Sequence, residues 1–328
     1  MISKNIKIFL ITLFVSFPFW WGMNVFQEKM EDFFYWFEVS KNPQLLTAQV
    51  SADFEIKKIR PVRIKSISEP EIKAKSAISL LLKNNGKEII LFEKEKEKRL
   101  PIASLTKLMS ADVIFSNYDL FDQVTITKKA IEAPENFGNF REGEVFFVKD
   151  LLVSVLIESS NDATVALEEL AGEEVFVNLM NSKAKELNLE NTYFYNSTGI
   201  DPDNDNESAN YSTAYDLAKL AIYLLKENPQ VFEISTLAEA DIFLMDGSFH
   251  HKAKNTNEFL IGKRDGIPKE EIIGSKTGWT PLAQGCLLLV IKAPKNDGII
   301  ANVILGSDND RFFEMEKLIN WLKEAYKW

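Results

Sequence analysis

The sequence predicts an α+β fold in which both ends of the folded region form one antiparallel sheet and a helical subdomain is inserted between them. A strand–turn–strand pattern occupies residues 76–92, before any helical pattern. Three apolar runs with the length of buried strands follow residue 271. Between these two regions, apolar side chains recur mostly at helical spacing. Strands at both ends with helices between them are typical of this architecture.

The first 27 residues are predicted to be a membrane anchor, or alternatively a signal sequence. Lys4 and Lys7 precede residues 8–27, which contain no charge, and about 20 such residues span a bilayer. Lysines before this run and acidic residues after it predict a single-pass protein of the cell membrane, with its domain on the extracytoplasmic side. No small-x-small cleavage pattern follows the run, which favours a retained anchor over a cleaved signal peptide.

Residues 28–71 are predicted to be a linker or stalk, and residues 72–328 the folded domain. Lysines, glutamates, Pro61 and Pro70 interrupt any apolar period in the second half of the linker. An alternative is that residues 50–62 form a strand packed on the domain.

The elements of the folded domain follow from local patterns. A hairpin is predicted with strands over residues 76–82 and 88–92 and a turn over residues 84–87. A helix is predicted from about Ser104, because apolar residues follow it. Further helices are predicted over residues 147–157, 161–170, 173–187, 213–226 and 311–326, with Ser212 capping the fourth. Strands are predicted over residues 272–279, 286–292 and 299–306.

Composition argues against several classes of function. The net charge is −10 and no basic stripe is present, so nucleic acid is not an expected partner. The single cysteine, Cys286, lies in an apolar run and is predicted to be a buried strand residue. No cluster of cysteine and histidine has the spacing of metal ligands, and neither a metal nor a cofactor is predicted.

Three short motifs occur in a fixed order along the chain. They are Ser104-Leu105-Thr106-Lys107, Ser159-Ser160-Asn161 and Lys276-Thr277-Gly278. Each is weak alone, and a second Ser-x-x-Lys occurs at Ser182 in a charged helical stretch. Together, in this order and with their flanks, they indicate an active site that acylates a serine without using a histidine.

The first motif supplies a nucleophile and a base. A serine hydroxyl needs a group that takes its proton, and the two histidines, His250 and His251, lie side by side in a predicted hairpin turn. A neutral lysine can serve as the base when burial or a nearby cation lowers its pKa. Ser104 and Lys107 are three residues apart and therefore share one face of the predicted helix.

The flanks of these motifs resemble the D-alanyl-D-alanine carboxypeptidases, the low-molecular-weight penicillin-binding proteins. The resemblance covers about residue 72 to the C-terminus and rests on residues 99–111, 159–163, 196–201, 255–257 and 274–280. It implies a β-lactamase/DD-peptidase-like fold. One departure is Ser160, where the family commonly has glycine; a hydroxymethyl group there is expected to crowd the site or to shift Asn161.

The resemblance implies three catalytic residues. Ser104 attacks the carbonyl of the penultimate D-alanine and forms an acyl-enzyme, while Lys107 takes its proton. Ser159 relays a proton between Lys107, Lys276 and the leaving nitrogen.

The resemblance also implies five substrate-binding residues. Asn161 holds the substrate amide, and Lys276 and Thr277 bind the terminal carboxylate. Gly278 lets the substrate lie close to its strand. The backbone N–H of Trp279 completes an oxyanion hole with that of the nucleophile.

The sequence thus predicts a membrane-anchored serine carboxypeptidase that trims peptidoglycan pentapeptides and is acylated by β-lactams. A DD-endopeptidase carries the same motifs and is not separated from it by sequence. A class A β-lactamase needs a glutamate and an asparagine in a later loop; Glu174 and Asn178 have the spacing but come too early. A non-catalytic β-lactam-binding or wall-binding protein is a further alternative, against which the complete motifs argue.

Overall fold

The described part of the chain contains strands at both ends and helices between them. A computed structural model describes residue 30 and residues 61–134, 138–204, 208–308 and 310–328. Its strands are β1 Val62–Arg63, β2 Ser76–Leu82, β3 Glu88–Lys94, β4 Leu100–Pro101, β5 Gln123–Thr125, β6 Val145–Phe147, β7 Tyr211–Ser212, β8 Glu239–Phe243, β9 Phe249–Lys254, β10 Ile272–Gly278, β11 Gly285–Lys292, β12 Ile299–Ser307 and β13 Tyr326–Lys327. Its α-helices are α1 Lys107–Asn117, α2 Lys128–Ile131, α3 Val148–Ile157, α4 Asn161–Glu168, α5 Glu173–Glu186, α6 Ala214–Glu227, α7 Gln230–Ser235 and α8 Arg311–Ala325.

Five strands form the main sheet, in the order β10-β11-β12-β2-β3, and all neighbours are antiparallel. The central pair joins β2, near the start of the folded region, to β12, near its end. Inside this pair the hydroxyl of Ser79 donates to Oδ1 of Asn302 at 2.6 Å. The predicted fold class, a sheet formed by both chain ends with helices inserted, is confirmed.

Helices cover both faces of this sheet. Cys286, Leu288 and Val290 of β11 point into the large core that α1, α3 and α6 share. The alternate residues Leu287 and Leu289 are also fully buried, on the face that α8 packs against. Because both faces are covered, these strands appear in the sequence as continuous apolar runs rather than as alternation.

Helix α1 lies at the centre of the helical region. Its residues from Lys107 to Ile114 are all buried, and it contacts α3, α4, α5 and α7. A helix buried on every side shows no amphipathic stripe, which explains its weak periodicity in the sequence. The segment that follows the nucleophile is therefore held rigidly.

Two local predictions differ from the structure. The cap of α6 is Thr213, whose hydroxyl accepts from the Asp216 N–H at 3.0 Å, rather than Ser212. Ser212 lies in β7 instead, 2.7 Å from the Thr192 hydroxyl. The two histidines lie within β9, not in the turn that precedes it.

The chain divides into two units, one of residues 63–326 and one of residues 1–62 with 327–328. The predicted anchor, residues 1–27, and residues 31–60 of the predicted linker lie outside the described residues, and the predicted domain division stays a prediction. The structure corrects the predicted single-pass membrane location: in the part it describes, no helix is both long and apolar enough to cross a bilayer. The longest described helix, α8, has 15 residues and includes charged ones, whereas a span takes about 20 apolar residues.

We predict that Cys286 is unreactive in the folded protein. Its side chain is fully buried, and this burial raises the pKa of the thiol to about 11. An aromatic disulfide reagent at neutral pH should label the native protein negligibly and label it fully in guanidinium. Full labelling of the native protein within minutes would show that β11 opens locally.

Candidate active site

Ser104 lies on a tight turn between β4 and α1. A 3-10 turn, Ala103–Thr106, begins with Ala103 at φ 48°, a left-handed conformation that costs an L-residue about 1 kcal/mol. Ser104 is half-buried, whereas the side chains on both sides of it are buried. The turn thus presents one hydroxyl at the surface of a packed region.

Gly199 supports this turn from the opposite side. Its φ is +84°, and a Cβ at this position would lie only 2.0 Å from the carbonyl oxygen of Ala103. No other residue type fits there without moving the nucleophile turn. The loop that the sequence singled out by resemblance, residues 196–201, therefore packs directly against the serine turn.

The amine of Lys107 is fully buried and contacts three oxygen atoms. Nζ lies 3.1 Å from the Ser104 hydroxyl, 2.7 Å from Oδ1 of Asn161 and 2.7 Å from the carbonyl oxygen of Thr198. The last two oxygens can only accept, so a neutral amine donates its two N–H groups to them. Its lone pair can then accept the proton of the Ser104 hydroxyl.

A hydrogen bond to the backbone orients the side-chain amide of Asn161. Its Nδ2 donates to the carbonyl oxygen of Pro134 at 2.8 Å, which places Oδ1 on the side of Lys107. The first and second motifs are therefore joined through one amide, and Asn161 fixes the direction in which the lysine points.

Ser159 and Lys276 join the second motif to the third. The Lys276 amine donates to the Ser159 hydroxyl at 2.8 Å and to the carbonyl oxygen of Thr277 at 3.2 Å. Ser159 itself has φ 66°, at the sharp turn between α3 and α4. Ser159 thus contacts Lys276, and the expected direct link between Ser159 and Lys107 stays a prediction.

Strand β10 forms one wall of the site and is an edge strand of the main sheet. At Gly278 a Cβ would lie 3.1 Å from the backbone nitrogen of Ser104, so glycine lets β10 approach the nucleophile turn. The hydroxyls of Thr277 and Thr256 are 2.5 Å apart. Trp279 follows the strand and is 51% exposed.

Lys276 is not a permanently charged residue. Burial, and to a lesser extent the charge of Arg311, lower the pKa of its amine to about 7. Its charge therefore changes near neutral pH. An anion bound beside it would restore the charged form.

Arg311 is a residue that sequence reasoning missed. It begins α8, burial lowers the pKa of its guanidinium, and its Nε is a buried donor without a hydrogen-bond partner among the described residues. No motif marks it, since it lies in a helix predicted only from its apolar period. Its place beside Lys276 is visible only in three dimensions.

Ser160 does not occupy the site. Its side chain is fully buried and caps α4, its hydroxyl accepting from the Ala163 N–H at 3.1 Å. Asn161 still lies within hydrogen-bond distance of Lys107. The Ser160 side chain therefore does not displace Asn161 from the site.

The arrangement combines a serine on a strained turn, a buried amine beside it, a second hydroxyl and two further cations. These are the parts needed for acyl transfer through a covalent intermediate. In the described ranges, no group of three or more His, Cys, Asp or Glu side chains is arranged to hold a metal ion.

Comparison with known proteins then decides the family. A family model described as D-alanyl-D-alanine carboxypeptidase matches residues 63–309, three quarters of the chain. The chain belongs to this family.

Relatives within the family have more than one activity by name. The D-alanyl-D-alanine carboxypeptidase DacF of Bacillus subtilis is 33% identical over 270 residues, which are 80% of this chain and 65% of that protein. The chain therefore spans slightly less than two thirds of this relative's length. A D-alanyl-D-alanine endopeptidase of Escherichia coli is 28% identical over 78% of this chain and 79% of its own.

A solved structure supports the fold of this family member. The Streptomyces K15 DD-transpeptidase is 27% identical, with a TM-score of 0.67, over 79% of this chain and all of that chain. The match extends beyond the sheet to the inserted helices, since it covers the whole of that protein.

We predict that Ser160 contributes to stability and not to chemistry. Ser160→Ala should lower the free energy of unfolding by about 1 kcal/mol, and Ser160→Gly by only a few tenths, because glycine is tolerated at a helix N-cap. Both variants should react with a penicillin within about twofold of the wild-type rate, since the hydroxyl touches no reacting group. Urea unfolding measures the free energy of unfolding, and penicillin labelling quenched at set times measures the rate of acylation. Marked acceleration of labelling in Ser160→Gly would restore the idea that the hydroxymethyl group crowds the site.

Proposed function

We propose that the protein is a serine D-Ala-D-Ala carboxypeptidase that removes the terminal D-alanine of peptidoglycan pentapeptides through an acyl-enzyme on Ser104. The observation that carries this proposal is the buried amine of Lys107, which lies 3.1 Å from the Ser104 hydroxyl and is held in place by two carbonyl oxygens. Membership of the carboxypeptidase family supports the bond that is cleaved. We assign the activity to the predicted domain of residues 72–328.

In the acylation step, Ser104 Oγ bonds to the carbonyl carbon of the penultimate D-alanine while Lys107 takes the hydroxyl proton. The backbone N–H groups of Ser104 and Trp279 would hold the developing oxyanion, because β10 and the nucleophile turn lie against each other at Gly278.

The leaving amine then needs a proton as the C–N bond breaks. Ser159, held by a hydrogen bond from Lys276, would pass its hydroxyl proton to the leaving nitrogen and take back the proton that Lys107 received from Ser104, so that Lys107 is neutral again after acylation. Free D-alanine departs, and water adds to the ester, releasing the shortened peptide and the Ser104 hydroxyl. β-Lactams would enter the same first step, and their slow hydrolysis makes them covalent inhibitors.

The terminal carboxylate of the substrate is expected to lie between Lys276, Thr277 and Arg311. The charge of the half-buried Arg311 disfavours the charged form of the buried Lys276, and a carboxylate bound near both would offset that cost. The Nε of Arg311, which has no hydrogen-bond partner among the described residues, offers a charge-assisted hydrogen bond to it. Asn161 is buried and its oxygen already accepts from Lys107, so it would direct the substrate amide only secondarily.

A DD-endopeptidase is the second candidate, because a relative named for that activity matches most of its own length. The same serine chemistry would serve it, and only the group beyond the scissile bond would differ. Incubating the protein with a muramyl pentapeptide and with cross-linked dimers, followed by mass spectrometry, distinguishes the two.

We predict that Lys107→Arg nearly abolishes acylation. Arginine keeps its proton in a protein, so the rate of labelling by a fluorescent penicillin should fall at least about a hundredfold. Peptide mapping of the wild type should place the label on Ser104. The matched control is Lys185→Arg, in the second Ser-x-x-Lys sequence, whose lysine is exposed and should not affect labelling. Near-normal labelling of a folded Lys107→Arg protein would contradict the assignment.

We also predict that recognition of the substrate carboxylate weakens as pH rises through about 7, where Lys276 loses its charge. Lys276→Arg stays charged, so the wild-type kcat/KM relative to this variant should fall between about pH 6 and about pH 8. Lys276→Met should be poor throughout and should discriminate least against a peptide with an amidated C-terminus.

With the amidated peptide, the ratio of the wild-type kcat/KM to that of Lys276→Arg should not change with pH. This substrate has no terminal carboxylate for the lysine to recognise. A wild type that cleaves amide and acid equally well would remove the carboxylate role of Lys276.

A further inference from the structure

We infer that His251, supported by His250 and acting through Glu158, positions Ser159 for its part in acylation. This inference rests on the proposed function, in which Ser159 transfers a proton. None of the three residues touches the nucleophile, so their role is one of positioning.

Ser159 needs an external constraint because its backbone is strained. A φ of 66° is unfavourable for a serine by about 1 kcal/mol, and such conformations persist only where the surroundings fix them. On its C-terminal side the chain is fixed by Ser160, which caps α4. On its N-terminal side α3 ends at Ile157, so Glu158 is the residue that must be held.

Glu158 is held by its carboxylate. Oε1 accepts from the hydroxyl of Ser154, one turn earlier in α3, and lies 2.9 Å from Nε2 of His251. The second contact crosses from α3 to β9, a segment 93 residues away in sequence. The carboxylate therefore ties the residue before Ser159 to a strand as well as to its own helix.

The chain of contacts continues beyond His251. Its Nδ1 lies 2.6 Å from Nδ1 of His250, and Nε2 of His250 lies 3.1 Å from the carboxylate of Glu144, just before β6. Three segments, those of Glu144, Glu158 and the histidines, thus meet in one linear network. We call these four residues the His–Glu network.

The contact that matters for Ser159 needs only one proton on His251. Burial lowers the pKa of the His250 imidazole and so favours its neutral form. A neutral His251 ring with its proton on Nε2 donates to the Glu158 carboxylate, and its Nδ1 is then free to accept from Nδ1 of His250. The Glu158 contact therefore does not depend on a charged histidine.

The surroundings limit water access to this network. The Phe140 ring stacks on the His250 ring, with 5.4 Å between the ring centroids. The Phe146 ring packs edge-on against the same imidazole, with 5.2 Å between the centroids. The His251 and Glu158 side chains are 14% and 12% exposed. Other charged groups facing the network are Arg141, near His250, and Asp162, whose buried carboxyl faces Glu158.

The test measures the rate constant for acylation by a fluorescent penicillin separately from the affinity of the preceding non-covalent complex. His251→Leu fills the site but leaves the Glu158 carboxylate without its cross-strand partner. We expect the acylation rate constant to fall at least about tenfold with little change in affinity, since misplacing a reacting group costs up to about a hundredfold. His251→Gln can still donate an N–H to Glu158 and should recover most of the rate.

A double-mutant cycle with Ser159→Ala separates positioning from general damage to the fold. If His251 acts through Ser159, His251→Leu should cost less than about twofold in the Ser159→Ala background. An equal cost in both backgrounds overturns the inference, and so does a wild-type rate in folded His251→Leu. Lys252→Met is the matched control, because the adjacent lysine of β9 contacts only the exposed Glu239 and Asp241 and should not change the rate.

Failure of the proposed function gives a different result. A wild type that takes no label at Ser104 would refute the serine-acylase assignment before the variants are compared. Thermal unfolding of each variant shows whether it is folded, and His251→Gln supplies the comparison if His251→Leu does not fold.

Discussion

A buried lysine amine is the interaction on which the rest of the site depends. Nζ of Lys107 is hydrogen-bonded to the nucleophile turn, to the start of α4 and to the loop that carries Thr198. Without the amine, two carbonyl oxygens in the interior would lose a donor, and each such loss costs about 1–3 kcal/mol. The contacts that fix the lysine also hold these three chain segments together.

The second lysine has a different physical setting. Lys276 donates to the hydroxyl of Ser159, and desolvation together with the charge of Arg311 makes its own charge costly. Such a site favours an anion over a neutral ligand, since binding and protonation support each other. The proposed specificity for a carboxylate at the chain end would therefore come from relief of this cost as much as from any new hydrogen bond.

The sequence was sufficient for the parts of the structure that rest on local signals. The strands of the main sheet, the long helices and the order of the three motifs follow from period, turn residues and short-range spacing, as the confirmed sheet of β2 and β12 shows. Contacts between separate elements were not predicted. The charge of Arg311, in α8, acts on Lys276 in β10, and Glu158 lies 2.9 Å from Nε2 of His251 in β9. The capping role of Ser160 was not predicted, because a motif comparison does not show that a serine at a helix start caps the helix.

The pairing of β2 with β12 has a consequence for how the chain folds. Ser79 and Asn302, bonded in the middle of the sheet, are 223 residues apart, so the central strand pair closes one of the longest loops in the domain. Contacts of such separation raise the contact order and slow folding. During synthesis, β2 emerges well before β12 and can pair only with β3, leaving an apolar strand edge open. Until β12 is available, this edge is exposed to pairing with other chains, so the topology itself makes the partly synthesised domain prone to aggregation.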